Sequence, residues 1–263
     1  MLLFFFILGT FFGSFANVVI RRLPYGNSIV KPASHCPKCL IPIKCIDNLP
    51  ILSFLFLSGK CRNCRTKISF EYPVVELLTG LLFLAGYLNY SISVNLIIFL
   101  IFSFFLIIIS FIDLHLRIIP DILTISILIF GLASSFFNPV VNFSFLNSLS
   151  GALFGGAFLY LIAFLGAKIY KKEVMGGGDV KLLAAGGSVL GLQNIFLAIL
   201  IACFIGGLTG LFLILIGKKK KSDLIPFGPF IAISLLIVFS SASVPRIVPR
   251  LFGGFSIYFP SIK

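Results

Sequence analysis

Eight long apolar segments set the main limit on how this chain can fold. They lie at residues 2–20, 73–90, 94–112, 119–137, 147–168, 182–192, 194–217 and 225–241. A stretch of about 17–25 apolar residues is long enough to cross a bilayer as a helix, and the segment at 182–192 alone falls short of this. Only 11% of the 263 residues are charged, whereas soluble domains carry about 25%. The sequence therefore predicts an all-α polytopic membrane protein with about eight transmembrane helices.

The basic residues alternate between loops in a way that predicts the topology. Basic residues occur in the connections at 21–72, 113–118, 169–181 and 218–224, whereas the connections at 91–93, 138–146 and 193–194 carry no charge. Cytosolic loops of membrane proteins are enriched in Lys and Arg. We therefore expect both termini to lie outside and the basic loops to face the cytosol. This distribution explains the net charge of +13, so no nucleic-acid partner is expected. The basic loops instead face the anionic headgroups of the lipid membrane.

The chain divides into three predicted parts. Residues 1–20 lack a basic start and a small-residue cleavage site, so we interpret them as a first transmembrane helix rather than a signal peptide. Residues 21–72 form the one loop long enough to be a domain. Residues 73–263 contain the remaining apolar segments and form the predicted membrane-embedded domain.

Four cysteines in the long loop predict a structural zinc site. Cys36 and Cys39 form one C-x2-C pair, and Cys61 and Cys64 form a second pair further along. Four thiolates complete the tetrahedral shell of Zn²⁺ and leave no position for a catalytic water. Two disulfides are the alternative, and His35 beside Cys36 is a possible substitute ligand. A cytosolic loop is a reducing environment, which favours the metal.

Two aspartates next to apolar segments are candidate catalytic residues. Asp179 follows Gly176, Gly177 and Gly178, and Asp113 closes the third apolar segment. Both fall at the predicted cytosolic membrane face. An aspartic protease requires two carboxylates in contact, because one of them stays ionised while the other keeps its proton. Glycines beside an aspartate let a substrate backbone come close.

Helix capping is the alternative explanation for these acidic residues. Asp179 and Asp113 each lie near a predicted helix end, where carboxylates often cap or complement the dipole. The same interpretation fits Asp121 better, because it follows a proline at a helix start. Lys181 either pairs with a carboxylate or follows the charge rule for cytosolic loops. Glu76 lies inside the second apolar segment, where a functional role and a hydrogen bond between helices are equally consistent with the sequence.

The order of these motifs resembles that of the bacterial prepilin peptidases, the type IV leader peptidases with a membrane-embedded G-x-G-D aspartic protease site. The resemblance covers nearly the whole chain. It rests on the tetracysteine loop and on motifs beginning at Gly13, Asp47, Glu71, Asp113, Gly176 and Pro226.

The resemblance implies a function in the bacterial inner membrane. It implies Asp113 and Asp179 as the catalytic pair, with Gly176, Gly178, Lys181 and Glu76 in supporting roles. It also implies prepilins or pseudopilins as substrates, whose basic leader is cut after glycine on the cytosolic side. Members with the long loop commonly methylate the new N-terminus with S-adenosylmethionine, so we expect that second activity here. A transporter with intramembrane acids and an inactive protease-fold scaffold are the alternatives.

Overall fold

The computed structural model describes residues 1–171, 175–217 and 225–243, and its regular structure is helical. Its eight α-helices are α1 (Leu2–Arg22), α2 (Leu52–Phe56), α3 (Glu71–Tyr90), α4 (Val94–Leu116), α5 (Asp121–Ser134), α6 (Phe145–Tyr170), α7 (Gly177–Leu215) and α8 (Gly228–Ser243). No β-strand forms within these described ranges; the long loop contributes only two isolated bridges. The predicted all-α class is therefore confirmed. The basic loop predicted at 218–224 lies outside the described residues.

Five of these helices, α1, α3, α4, α6 and α7, are long and apolar enough to cross a membrane. The apolar helices α5 and α8 are shorter than the predicted segments, with 14 and 16 residues. At 1.5 Å per residue they measure about 21 and 24 Å, less than the roughly 30 Å of a bilayer core. Pro120 directly precedes α5, and Pro226 lies two residues before α8. A proline in the interior of a helix would break it, so each helix begins only after its proline.

Helix α7 contains the sixth and seventh predicted segments, joined at a bend. Gly191 has φ 76° and ψ 176°, which no helical residue adopts. The bend reverses the chain, because one glycine of α6, Gly155, lies beside both Leu183 and Ile195. Twelve residues of straight helix would separate those two by about 18 Å. Counted as two arms, α7 brings the number of apolar helical segments to the predicted eight.

Small residues let the membrane helices pack at close range. A Cβ added at Gly9 of α1 would lie 2.7 Å from the Thr79 carbonyl of α3, and one at Gly151 of α6 would lie 2.4 Å from the Gly187 carbonyl of α7. Association of helices in lipid depends on van der Waals contact and on small residues that allow backbones to approach. The glycines therefore fix which helices are neighbours.

Replacing Gly187 tests this packing. We expect Gly187→Ala to lower the stability of the detergent-solubilised protein by about 1–3 kcal/mol, the usual effect of overpacking. The new Cβ would lie 2.1 Å from the carbonyl oxygen of Gly151, which is backbone and has little room to move. The measurement is thermal unfolding. The matched control is Gly207→Ala, also on α7, where a Cβ meets nothing within 4 Å. Equal melting temperatures for the two variants would contradict the packing argument.

Candidate functional site

The two candidate aspartates come together from opposite helix ends. Asp113 lies in the last turn of α4 and is buried, and Asp179 lies in the first turn of α7 and is half-buried. Their carboxylates interact electrostatically across a separation of 66 residues in the chain. The cap position of α7 is Gly176, and Asp179 makes no side-chain capping bond there. Asp179 is therefore not the cap residue of α7, although it lies in the first turn, where a carboxylate also complements the helix dipole.

Asp113 is held by the start of α8. The backbone N–H of Gly228 donates a hydrogen bond of 2.9 Å to Oδ2 of Asp113. A Cβ on Gly228 would lie 2.7 Å from that same oxygen, so the contact needs a residue without a side chain. Gly228 is the residue that sequence reasoning missed. It belongs to the motif that begins at Pro226, but nothing in the sequence pairs it with Asp113.

Substituting Gly228 separates a positioning effect from a loss of the catalytic group. We expect Gly228→Ala to lower peptidase activity by about 10²-fold, because the added methyl group displaces the Asp113 carboxylate, and small misplacements of catalytic groups carry costs of this size. The measurement is the initial rate of leader cleavage. Gly177→Ala is the control, since a Cβ at Gly177 meets nothing within 4 Å. Full activity in Gly228→Ala would contradict a positioning role for this contact.

The three glycines before Asp179 have different surroundings. A Cβ on Gly178 would lie 2.8 Å from Cβ of Ile119, so this glycine lets the start of α7 pack against the segment that leads into α5. A Cβ on Gly176 would stand 3.5 Å from Oδ2 of Asp179, on the approach to the carboxylate. Only Gly178 is therefore required by packing. The space beside Gly176 adjoins the carboxylate of Asp179.

Lys181 pairs with Asp121 rather than with either candidate catalytic aspartate. Its Nζ donates to both carboxylate oxygens of Asp121, at 2.7 and 2.8 Å. The residue at the cap position of α5 is Pro120, and Asp121 is the first helical residue, where its carboxylate complements the helix dipole. The pair joins the N-terminal ends of α5 and α7. Both side chains are more than half exposed, which limits its contribution to about 0–1 kcal/mol.

Glu76 connects the membrane helices to the long loop. Its Oε2 accepts a 2.7 Å hydrogen bond from the backbone N–H of Ile51. Glu76 is buried on α3, and Ile51 has a positive φ of 61° at the start of α2. A backbone N–H left without a partner in such a place costs about 1–3 kcal/mol. The position of Glu76 therefore fits a role in holding the loop against α3.

A second acidic centre lies at the start of α3, and sequence reasoning did not assign it. Oε2 of Glu71 accepts from Arg21 of α1 and lies 3.0 Å from Nε2 of His115 on α4. Asn17 of α1 adds a hydrogen bond of 3.1 Å to the carbonyl of Tyr72. These contacts join three helices at the end of α4 that carries Asp113. Oε1 of Glu71 is buried and has no partner among the described residues.

The four cysteines of the long loop converge. The sulfur atoms of Cys36, Cys39, Cys61 and Cys64 all lie within 4.8 Å of one another. The Sγ atoms of Cys36 and Cys64 are 3.7 Å apart, close to the edge of about 3.8 Å in a tetrahedron with Zn–S bonds of about 2.3 Å. All four are free thiols, which does not support the disulfide alternative. His35 is not part of the cluster.

The surroundings of the cluster do not act alike on its thiols. Despite a backbone hydrogen bond from Ile41, desolvation and the neighbouring cysteines raise the pKa of the Cys39 thiol to about 11. The Thr66 hydroxyl, 3.3 Å from Sγ of Cys64, and then the Thr66 backbone lower the pKa of the Cys64 thiol to about 6. The thiolate is the form that binds a metal. Arg62 forms a bidentate pair with Asp47, at 2.8 and 2.5 Å, and lowers the pKa of that carboxyl. This pair ties the turn around residue 47 to the second cysteine pair.

Comparisons with known proteins place the similarity in two consecutive regions. Residues 7–90 match the family described as "Bacterial Peptidase A24 N-terminal domain", and residues 100–211 match the "Type IV leader peptidase family". No solved structure matches the chain.

Curated relatives match over most of their length. The "Prepilin leader peptidase/N-methyltransferase" of Aeromonas hydrophila is 35% identical over an alignment of 253 residues, and the match covers 87% of each chain. The protein of that name from Bacillus subtilis (strain 168) is 37% identical, over 89% of this chain and 92% of its own. The one from Neisseria gonorrhoeae is 35% identical, over 89% and 88%.

Proposed function

Because this chain belongs to the type IV leader peptidase family, we propose that it removes the basic leader of type IV prepilins or pseudopilins and then methylates the new N-terminus. The cut follows a glycine. The observation that carries the proposal is the pairing of Asp113 with Asp179, in which Gly228 holds one carboxylate beside the other. The pair supplies the acid and the base that hydrolysis of a peptide bond requires.

In the proposed mechanism the two aspartates have different protonation states. The hydrogen bond from the backbone N–H of Gly228 stabilises negative charge on Asp113. Asp113 therefore takes a proton from water, which attacks the carbonyl carbon of the scissile bond. Asp179 gives its proton to the carbonyl oxygen. When the tetrahedral intermediate collapses, the leaving amine receives the proton that Asp113 had taken, and Asp179 recovers its own.

The glycine of the cleavage site fits the space around the pair. Gly176 leaves the approach to Asp179 without a side chain, so an extended substrate backbone can reach the carboxylates. A substrate glycine at the scissile bond adds no bulk of its own. We assign Gly176 and Gly178 to substrate approach and packing respectively, and Lys181 to fixing the start of α7.

The proposed orientation places this site on the cytosolic face of the bacterial inner membrane. Asp113 is the first residue of the basic connection at 113–118, and Asp179 lies in the basic connection at 169–181. Cytosolic loops carry such charges. We assign residues 1–20 to the first membrane helix, 21–72 to the cytosolic zinc loop and 73–263 to the membrane-embedded peptidase domain.

We propose that the four cysteines hold one structural Zn²⁺. Their spacing and free thiols fit a tetrahedral tetrathiolate site, which has no open position for substrate. The ion supplies folding free energy to a loop that contains one α-helix of only five residues. Through Ile51 and Glu76 the folded loop is anchored to α3.

S-adenosylmethionine is the proposed methyl donor and carries a cationic sulfonium and ammonium. Oε1 of Glu71, buried and without a partner among the described residues, is an acceptor that fits a cationic group. Arg21 and His115 fix the same carboxylate through its other oxygen. We therefore assign Glu71 to binding the donor or the new N-terminal amine. When bound, the donor supplies the methyl group, and the amine must be unprotonated to accept it.

Mass spectrometry of a processed substrate tests both activities. Purified full-length protein in detergent is incubated with a prepilin-like substrate that has a basic leader and Gly followed by Phe at the junction. We expect a product cut after that glycine, and an added mass of about 14 Da (one CH2) only when S-adenosylmethionine is present. Cleavage without the added mass would contradict the proposed methyltransferase activity and leave the proposed peptidase activity standing. No cleavage of several leaders by folded protein would favour the transporter or scaffold alternatives.

A further inference from the structure

A cleft of about 250 Å³ lies between the long loop and the first half of α3. Phe54 and Leu55 of α2 line one side, and Pro73 and Leu77 of α3 line the other, with Phe70 between them. The polar surface inside the cleft is negligible. An apolar cleft of this kind is expected to be filled, because large exposed apolar patches mark sites of contact.

The surroundings of the cleft indicate the medium onto which it opens. Leu77 is 43% exposed on a helix that crosses the membrane, so its free surface faces lipid. Phe70 is 70% exposed and directly precedes that helix, which puts it at the membrane boundary. Leu55, 65% exposed on α2, continues the same apolar surface onto the loop. The cleft is therefore continuous with the lipid-facing surface of α3.

Two lysines stand beside the cleft without a carboxylate partner. Lys60 and Lys67 face each other across an isolated antiparallel bridge, and both are exposed. Neither lysine forms a salt bridge to a carboxylate within the described residues, where the ion pairs involve other cations. Like charges directly opposite each other on a bridge are unfavourable. An anion between them would offset that repulsion.

The turn that carries these lysines packs directly on the cleft. Gly59, next to Lys60, donates from its N–H to the carbonyl of Phe54 at 2.8 Å. The Phe54 ring stacks edge-on against Phe70, with centroids 5.9 Å apart. The turn that carries the lysines therefore adjoins the two phenylalanines that line the cleft.

We propose that this surface binds a phospholipid with an anionic headgroup from the surrounding bilayer, with an acyl chain in the cleft and the phosphate group at Lys60 and Lys67. Residues 23–70 contain seven Lys or Arg and a single acidic residue, Asp47, which is engaged by Arg62. This charge attracts the anionic leaflet. The basic leader of a substrate carries the wrong charge for Lys60 and Lys67, so the leader is not the expected occupant of this surface. The bound lipid would fasten the loop to the membrane.

The absence of tryptophan from the chain permits a direct test. A Leu55→Trp variant carries one fluorophore at the cleft, and it is reconstituted with phospholipids whose acyl chains are brominated and quench nearby tryptophan. Brominated phosphatidylglycerol and brominated phosphatidylcholine are compared at equal mole fraction. We expect brominated phosphatidylglycerol to quench the tryptophan with an apparent affinity at least about fivefold higher than brominated phosphatidylcholine. Each basic residue near an anionic bilayer surface contributes about 1 kcal/mol to binding, which is about fivefold in affinity.

Control variants separate this site from bulk lipid contact. Leu81→Trp, at an exposed position further along α3, is expected to be quenched equally by both lipids. Adding Lys60→Gln and Lys67→Gln to Leu55→Trp should remove the preference for phosphatidylglycerol. Adding Lys31→Gln and Lys44→Gln instead removes the same number of positive charges from the loop and should keep that preference. Circular dichroism and elution volume confirm that each variant is folded.

Three outcomes would overturn the proposal. The first is no quenching of Leu55→Trp by either lipid, and the second is equal quenching by both headgroups. The third is displacement of the lipid by a peptide with the hydrophobic segment of a prepilin, which would assign the cleft to substrate. None of these depends on cleavage, so the result is independent of the proposed peptidase activity.

Discussion

Asp113→Ala and Asp179→Ala are each expected to abolish leader cleavage while leaving the protein inserted in the membrane. General acid–base groups contribute about 10²–10⁴-fold to rate, and here each aspartate is paired with the other. Loss of either leaves no partner to complete the proton transfers. We therefore expect the double variant to be no worse than either single variant, because groups that act as a unit are not additive.

The measurement is the rate of appearance of the shortened substrate by mass spectrometry, with membrane fractionation to verify insertion. Asp121→Asn is the matched control aspartate. Its exposed pair with Lys181 limits the expected loss to less than about tenfold. Processing by Asp113→Ala or Asp179→Ala at the wild-type rate would remove that residue from the mechanism.

Replacing any one of the four loop cysteines is expected to release the metal and unfold the loop. A structural zinc site contributes about 10–16 kcal/mol of apparent binding free energy in small domains, and a missing thiolate leaves the tetrahedral shell incomplete. We expect Cys61→Ser to fall from about one zinc per chain to well under half. Limited proteolysis should then cut within residues 21–72.

Elemental analysis of the purified protein measures the zinc content, and Cys203→Ser provides the control. Cys203 is a free cysteine on α7, outside the cluster, so its removal should leave both metal content and protease resistance unchanged. A wild-type protein that contains no zinc and has an intact loop would contradict the structural role of the ion. Retention of the metal by Cys61→Ser would exclude that cysteine as a ligand.

The membrane helices could be predicted from the sequence because hydrophobicity alone determines them. The segments at 2–20, 73–90 and 94–112 correspond to α1, α3 and α4, with differences of a few residues at the ends. The difference at α4 matters, because the helix continues one turn past Asp113 and thereby places His115 beside Glu71. Helix ends depend on capping and tertiary contacts that a hydropathy profile does not contain.

The site was only partly predictable. The glycines and the charge rule single out Asp179 and Asp113, and two C-x2-C pairs single out the four cysteines. The partners of these groups are backbone N–H groups, at Gly228 for Asp113 and at Ile51 for Glu76. Every residue except proline carries such a donor, so the sequence cannot distinguish the ones that the fold brings into place.

The bond between Gly228 and Asp113 joins positions 115 residues apart, and this has a consequence for the order of synthesis. A nascent chain that ends after α7 already contains both aspartates, yet it lacks the backbone group that holds the first of them. The carboxylate pair is therefore completed only when α8 enters the membrane, as the last described helix to be made. A chain truncated before α8 would contain both aspartates but not the backbone N–H that holds Asp113.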